Sequence, residues 1–414
     1  MNAQAPVRGA ELAAGGQVIA GPSWLARLWS GGVHRFLDQV DRGVRKGAID
    51  VTLPDGRTRR LGGREPGFNA RITVHDVSAL LRLATGGSVG CYQAWDAGQW
   101  DSPDPVQLFA LIMDNGDTLG EIGRARGPWR WLGRLMHWRH RNTRTGSLRN
   151  IHAHYDLGND FYGAWLDPTM SYSSARFADP REPLEQAQQR KFATIAERIA
   201  GAGTVLEIGC GWGSLAAHLA GEGAQVTAIS LSEEQLAHAR RHYGAAGIAF
   251  HKQDYRDVTG QFDAVASVEM VEAVGAEYWP DFFDCLARCL KPGGRAAIQY
   301  IAMRDELFDG YAGNADFIQT YVFPGGLLVR ESAFRRLAAE RGLAWQADVR
   351  FAADYVETLR RWRANFDLAV EQGRLPAGFD SRFVRLWRFY LMYCEGGFAS
   401  GAIYVAQVTL KMAD

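Results

Sequence analysis

The sequence predicts an α/β fold, a mixed seven-stranded sheet covered by helices and preceded by a smaller N-terminal α+β domain. The prediction rests on three observations. From Asn150 onward strand and helix periodicities alternate, which implies a mostly parallel sheet covered on both faces. A glycine-rich turn, Glu207-Ile208-Gly209-Cys210-Gly211-Trp212-Gly213, stands between the first strand and the first helix of that alternation. Ahead of it, Asp55-Gly56 between two alternating runs signals a hairpin. The 414 residues suffice for two domains, and 47% hydrophobic with 22% charged residues excludes a disordered or collagen-like chain.

Taken in order, residues 1–22 read as an Ala/Gly-rich tail without a signal peptide's basic start and apolar core. Residues 23–120 read as the α+β accessory domain: a helix over Ser23–Val44, a strand-turn-strand over Ile49–Leu61, a strand over Asn69–Val74, then helices. In 150–414, strands are expected at Thr204–Ile208, Gln225–Ile229, Ile248–Lys252, Phe262–Ser267, Arg295–Ile301, Leu343–Phe351 and Ala402–Lys411. Helices are expected at Ser214–Gly221, Ser232–Tyr243, Tyr278–Leu290, Glu331–Arg341, Ala353–Gln372 and Ser381–Phe398. Five scattered cysteines point to reduced thiols in a cytoplasmic protein, and Cys285/Cys289, at helical spacing with no second pair, to core packing and not a metal site. No apolar run approaches the ~18 residues that span a bilayer.

The formal net charge is zero, 46 basic against 46 acidic residues, yet the charges are segregated. Between Arg124 and Arg149 there are eight arginines, three tryptophans and no acid. Within the linker 121–149, Trp131, Leu132, Leu135, Met136 and Trp138 interleave with Arg130, Arg134, Arg139 and Arg141, a pattern suited to an anionic lipid interface. A linker helix packing its Trp face on the core is the alternative. Nucleic acid, whose phosphates arginines also neutralise, is not expected as a partner.

Glycines at the turn after Glu207 let a ligand approach the backbone, and the following helix offers free N–H groups. The turn lacks the Gly-Lys-Ser/Thr of a nucleoside triphosphate loop, and the acid a dinucleotide site needs after the next strand is replaced by Ser230-Leu231-Ser232-Glu233-Glu234-Gln235. Ser232 with Gln235 also reads as a capping box. With Gln253-Asp254-Tyr255-Arg256 and Leu290-Lys291-Pro292-Gly293-Gly294, the loop resembles that of the class I S-adenosylmethionine-dependent methyltransferases, which are Rossmann-like. The resemblance implies cofactor contacts at Tyr172, Ser173, Glu207, Gly209, Gly211, Gly213, Ser230, Gln235, Asp254, Tyr255 and Arg256.

The segment His154-Tyr155-Asp156-Leu157-Gly158-Asn159-Asp160-Phe161-Tyr162, with Trp165-Leu166-Asp167-Pro168 and Tyr172-Ser173-Ser174-Ala175, resembles the cyclopropane fatty acid synthases and mycolic acid methyltransferases. Glu272-Ala273-Val274-Gly275, Phe323-Pro324-Gly325-Gly326 and Tyr390-Leu391-Met392-Tyr393-Cys394 extend the resemblance over 150–414. It implies transfer of a methylene unit from S-adenosylmethionine to the double bond of unsaturated phospholipid acyl chains, at the inner face of the membrane. It also implies a bicarbonate ion as base, held by Ser174, Glu272, Gln299, Ile301 and Tyr355, with Ser174 and Gln299 standing where many members have Cys and His. Tyr172, Tyr300, Tyr321, Phe323 and Tyr355 are candidate walls for a cationic intermediate. A methyl-branched or methylene-bearing product is the alternative outcome, and the oligomeric state, a homodimer included, stays open.

Overall fold

The computed structural model describes residues 8, 9, 12, 30–120 and 157–414. The basic linker, most of the tail and His154, Tyr155 and Asp156 lie outside the described residues. The described part forms two compact units, each discontinuous in sequence. One gathers the described residues of 1–140 with Glu306–Pro324 and Ala377–Ile403, and the other those of 141–305 with Gly325–Pro376 and Tyr404–Asp414. The continuous boundary expected near residue 150 thus differs from the compact units.

In the first unit, strands β1 (Lys46–Thr52), β2 (Thr58–Gly62), β3 (Glu65–Val74) and β4 (Trp100–Asp101) form a sheet in the order β2-β1-β3-β4. The Asp55-Gly56 turn joins antiparallel β1 and β2, and Gly56 has φ +81°, open to glycine at no steric cost. The helix Pro105–Asp114 begins where Asp104 accepts the Gln107 N–H and Pro105 fills the first turn. It packs on the helix Ser381–Ala399, where Gly396 lets the backbones close: a Cβ there would lie 2.6 Å from Phe109 Cβ. Tyr92, Phe109, Phe317, Tyr321, Phe389 and the half-buried Tyr393 join in edge-on ring contacts around this seam, each fully buried ring contributing about 1.5–3 kcal/mol. The Tyr390–Cys394 motif therefore serves this unit's core.

The second unit carries β5 (Thr204–Ile208), β6 (Gln225–Ser230), β7 (Ala249–Lys252), β8 (Phe262–Val268), β9 (Leu290–Met303), β10 (Val329–Arg330), β11 (Leu343–Arg350) and β12 (Ile403–Met412). Seven of them run in the order β11-β12-β9-β8-β5-β6-β7, with β10 beside β9. The pairs from β7 through β9 are parallel and β11 is antiparallel to β12. Val205, Leu206 and Ala264 to Ala266 are at most 1% exposed, which suits strands covered on both faces. The order reverses at β5, and ligands of open α/β sheets bind at such a switch point beyond the carboxyl ends of the strands.

Several features were not expected, among them the short strand β10 and a helix at Asp305–Ala312. Strand β9 begins at Leu290, before the Lys291-Pro292-Gly293-Gly294 stretch. A helix at Leu184–Arg198 escaped the periodicity because Gln188 and Lys191 interrupt its buried face. Cys285 and Cys289 lie in the core on the helix Trp279–Cys289, their Sγ atoms 3.9 Å apart.

Candidate active site

The Gly209–Gly213 turn leaves β5 at the switch point. The Gly209 and Cys210 N–H groups both donate to the Ile229 carbonyl at 3.0 Å, which fixes the turn to β6. Gly213, at φ +93°, opens the helix Ser214–Gly221 and touches Ala239 and Phe250 too closely for any side chain. Gly211, by contrast, has no heavy atom within 4 Å of where a Cβ would stand. Glu207 is buried, accepts the Ala216 N–H and keeps Oε2 without a partner among the described residues. Burial pushes its carboxyl up to about 8, against the pull of Lys191. An open glycine cradle beside an unsatisfied buried acceptor fits a nucleoside methyl donor.

Other expected cofactor positions end or follow the neighbouring strands β6 and β7. Ser230 Oγ donates to Gln235 Oε1 at 3.2 Å, while Ser232 caps the helix Glu233–Tyr243 through the Gln235 N–H; this is the N-cap half of the capping box, and the Ser232 N–H donates to Ser230 Oγ instead of to Gln235. Asp254 is engaged by Arg256, whose Nη2 donates at 2.6 Å, while the Tyr255 hydroxyl is buried without a partner among the described residues. Asn159 accepts the Trp212 indole N–H at 2.7 Å and so ties the turn to the helix Asn159–Gly163. Trp212 meets Tyr162, and Tyr162, Trp165 and Tyr172 continue to Trp362 as one aromatic wall. Tyr355 completes it, 6.1 Å from Trp362 between ring centroids.

Beyond β8, three of the five residues assigned to the base gather around a residue not among them. Glu269 follows β8, and its Oε1 accepts the Ser174 backbone N–H at 2.9 Å and Gln299 Nε2 at 2.7 Å. Its Oε2 accepts the Tyr355 hydroxyl at 2.7 Å. Gln299 cannot turn away, since its Oε1 accepts from Gln407, whose own Oε1 accepts Arg198 Nε. Ser174 contributes its N–H, while its hydroxyl donates to the Ala175 carbonyl at 3.0 Å. Next to it, Ser173 is clamped by Lys191 Nζ at 2.7 Å and by Gln188.

Glu272 stands apart from this cluster. It accepts the Ile301 N–H, and its Oε2 is enclosed without a partner among the described residues. Burial and the charge of Glu269 push its carboxyl up to about 8. Burial also raises Glu269, but Tyr355, Gln299, Ser174 and Lys191 all pull the other way. Both carboxyls are thus raised by burial, Glu269 with three hydrogen-bond donors opposing the rise and Glu272 with the charge of Glu269 adding to it.

Of the candidate walls, Tyr172 and Tyr355 meet at Trp362, whereas Tyr300 points to the opposite face of β9 and donates to Glu331 at 3.0 Å. Tyr321 and Phe323 lie in the first unit, Tyr321 against Tyr92 and Phe323 against Tyr390. Sequence reasoning missed Glu269 and Lys191. An acid at the carboxyl end of a central strand, three residues before Glu272, was the available signal for the first. Nothing in the local pattern marked the second.

The family model of the mycolic acid cyclopropane synthetases matches residues 142–408, well over half of the chain. The chain belongs to that family. It is 36% identical over 366 residues to the tuberculostearic acid methyltransferase UfaA1 of Mycobacterium tuberculosis, covering 82% of each chain. It is 35% identical over 348 residues to the cyclopropane-fatty-acyl-phospholipid synthase of Escherichia coli strain K12, covering 83% of this chain and 88% of that one. The cyclopropane synthase MmaA2 from Mycobacterium tuberculosis superposes with a TM-score of 0.59 at 25% identity, over 64% of this chain and 98% of that one. The protein is thus an S-adenosylmethionine-dependent methyltransferase with the class I fold. Among the described residues no helix is long and apolar enough to cross a membrane.

Proposed function

We propose that the protein methylates a double bond in the acyl chain of an unsaturated membrane phospholipid, giving a methyl-branched or methylene-bearing chain. S-adenosylmethionine supplies the electrophilic sulfonium methyl. The observation that carries the reading is a carboxylate, Glu269, joined through Tyr355 to an aromatic wall and followed by Met270, which packs on Gly209 of the glycine turn. An alkene is a weak nucleophile, so the chain must be aligned on the methyl in a dry pocket. Tyr162, Trp165 and Trp362, each at most 1% exposed, form a dry backing for the partly exposed Tyr172, whose aromatic face favours the positive charge that develops on the chain. Loss of a proton then ends the reaction.

Similarity to UfaA1, named for methylation, supports the product assignment. So does the occupied anion cage, because the proton-removing group departs from the dissociable base the family resemblance implies. Ring closure is the second reading, favoured by similarity to the Escherichia coli cyclopropane synthase. The basic run Arg124–Arg149 would bring the enzyme to anionic lipid. Incubation with S-adenosylmethionine and unsaturated phospholipid vesicles, followed by mass spectrometry and ozonolysis of the chains, tests this. A one-carbon gain with the double bond retained is expected. A gain with the unsaturation lost to a ring supports the second reading, and no gain on any chain overturns both.

A further inference from the structure

We infer that Glu269 is the catalytic base of the reaction and replaces the dissociable anion, so that turnover needs no bicarbonate. The inference rests on the acyl-chain reading above. Three of the five positions that the family resemblance assigns to bicarbonate, Ser174, Gln299 and Tyr355, give their hydrogen bonds to the Glu269 carboxylate instead, at 2.9, 2.7 and 2.7 Å. A carboxylate presents the same planar pair of oxygens as bicarbonate, and it already engages these three donors. The other two positions, Ile301 and Glu272, are bonded to one another.

The backbone supports a selected arrangement. Glu269 has φ +47°, a conformation that costs a non-glycine residue about 1–2 kcal/mol and that glycine adopts freely. It is held by its N–H donating to the Gln299 carbonyl at 2.8 Å, which turns the side chain into the cluster. Strain of this kind persists where the surroundings over-determine it, at functional sites above all. The buried Trp362 touches both Tyr355 and the partly exposed Tyr172, so the Tyr355 hydroxyl joins the carboxylate to the aromatic wall.

The step balances as follows. The π pair of the alkene forms a C–C bond to the methyl carbon, and the C–S pair leaves on sulfur, which becomes a neutral thioether. The resulting chain cation loses a proton to a Glu269 carboxylate oxygen. The released C–H pair becomes a new double bond when the proton comes from a chain carbon or from the methyl, or a ring bond when it closes across the former alkene. Glu269 then returns its proton to water.

The test uses the full-length enzyme with S-adenosylmethionine and unsaturated phosphatidylglycerol vesicles in carbon dioxide-depleted buffer. Wild type is expected to turn over at the same rate with and without added bicarbonate. Glu269→Gly, which suits the positive φ and empties the cage, is expected to fall at least about a hundredfold and to recover with bicarbonate or formate. Glu269→Gln, which fills the cage with a neutral amide, should fall as far and show no recovery. Unchanged affinity for S-adenosylmethionine by calorimetry identifies variants that remain folded. A wild type that requires bicarbonate, or a Glu269→Gln variant with full activity, overturns the inference. Absence of any wild-type product overturns the acyl-chain reading itself.

Discussion

The Tyr355 hydroxyl offers a graded perturbation of the site. Replacing Tyr355 with Phe keeps the ring against Trp362 and removes only the 2.7 Å bond to Glu269 Oε2. A hydrogen bond to a charged group contributes about 1.5–3 kcal/mol, and about 1.4 kcal/mol corresponds to one pH unit. The lost donor favoured the ionised carboxylate, so Tyr355→Phe should raise the Glu269 pKa further, by about one to two units. The acid limb of the pH–rate profile, taken from initial rates of acyl-chain methylation, should move up by that amount. Rates above the displaced limb should return towards wild type, because a stronger base remains in place. An acid limb that does not move, or a loss that is equal at every pH, would refute the assignment of Glu269 as the ionising group.

Other outcomes follow from the same geometry. Glu272 holds its proton up to about pH 8 in the folded protein and loses it near 4.5 when unfolded, so its contribution to stability is full below pH 4.5 and is lost as pH rises towards 8. Thermal melts of Glu272→Gln should therefore fall less between pH 5 and pH 8 than those of wild type, with Glu207 supplying the remaining slope. Gln407→Leu leaves Gln299 Oε1 and Arg198 Nε without their partner, and urea unfolding should show a loss of about 1–3 kcal/mol. Gly213→Ala places a Cβ 2.8 Å from Ala239 at φ +93°, so calorimetry should show weakened S-adenosylmethionine binding and a lowered melting temperature. Vesicle sedimentation should show binding that weakens with salt and with neutralisation of Arg130, Arg134, Arg139 and Arg141, and salt-insensitive binding would favour the linker alternative.

The sheet was legible because its strands are short apolar runs closed by turn residues: the strand Thr204–Ile208 and the helix Ser214–Gly221 that follows its turn coincide with the expected bounds. The N-terminal hairpin was readable from Asp55-Gly56 for the same local reason. The discontinuous units were not legible, since periodicity says nothing of which core a helix joins, and the Ser381–Ala399 helix contributes to a core 270 residues or more upstream through Phe389 and Phe109. At the site, Ser174, Gln299 and Tyr355 were found as a group, but the object they hold was not. That object is a side chain whose position depends on a positive φ at the end of β8, and a torsion angle leaves no mark in the residue pattern. Glu272 stood out because it belongs to a recurring motif, whereas Glu269 required the distances.

The account turns on which group removes the proton, and the most direct measurement is the wild-type rate as bicarbonate is titrated from carbon dioxide-depleted buffer to saturation. A resident carboxylate held by Ser174, Gln299 and Tyr355 predicts a flat line, with methylated acyl chains formed at full rate from the first point. A rate that starts near zero and climbs hyperbolically with bicarbonate would contradict it and return the base to a dissociable anion.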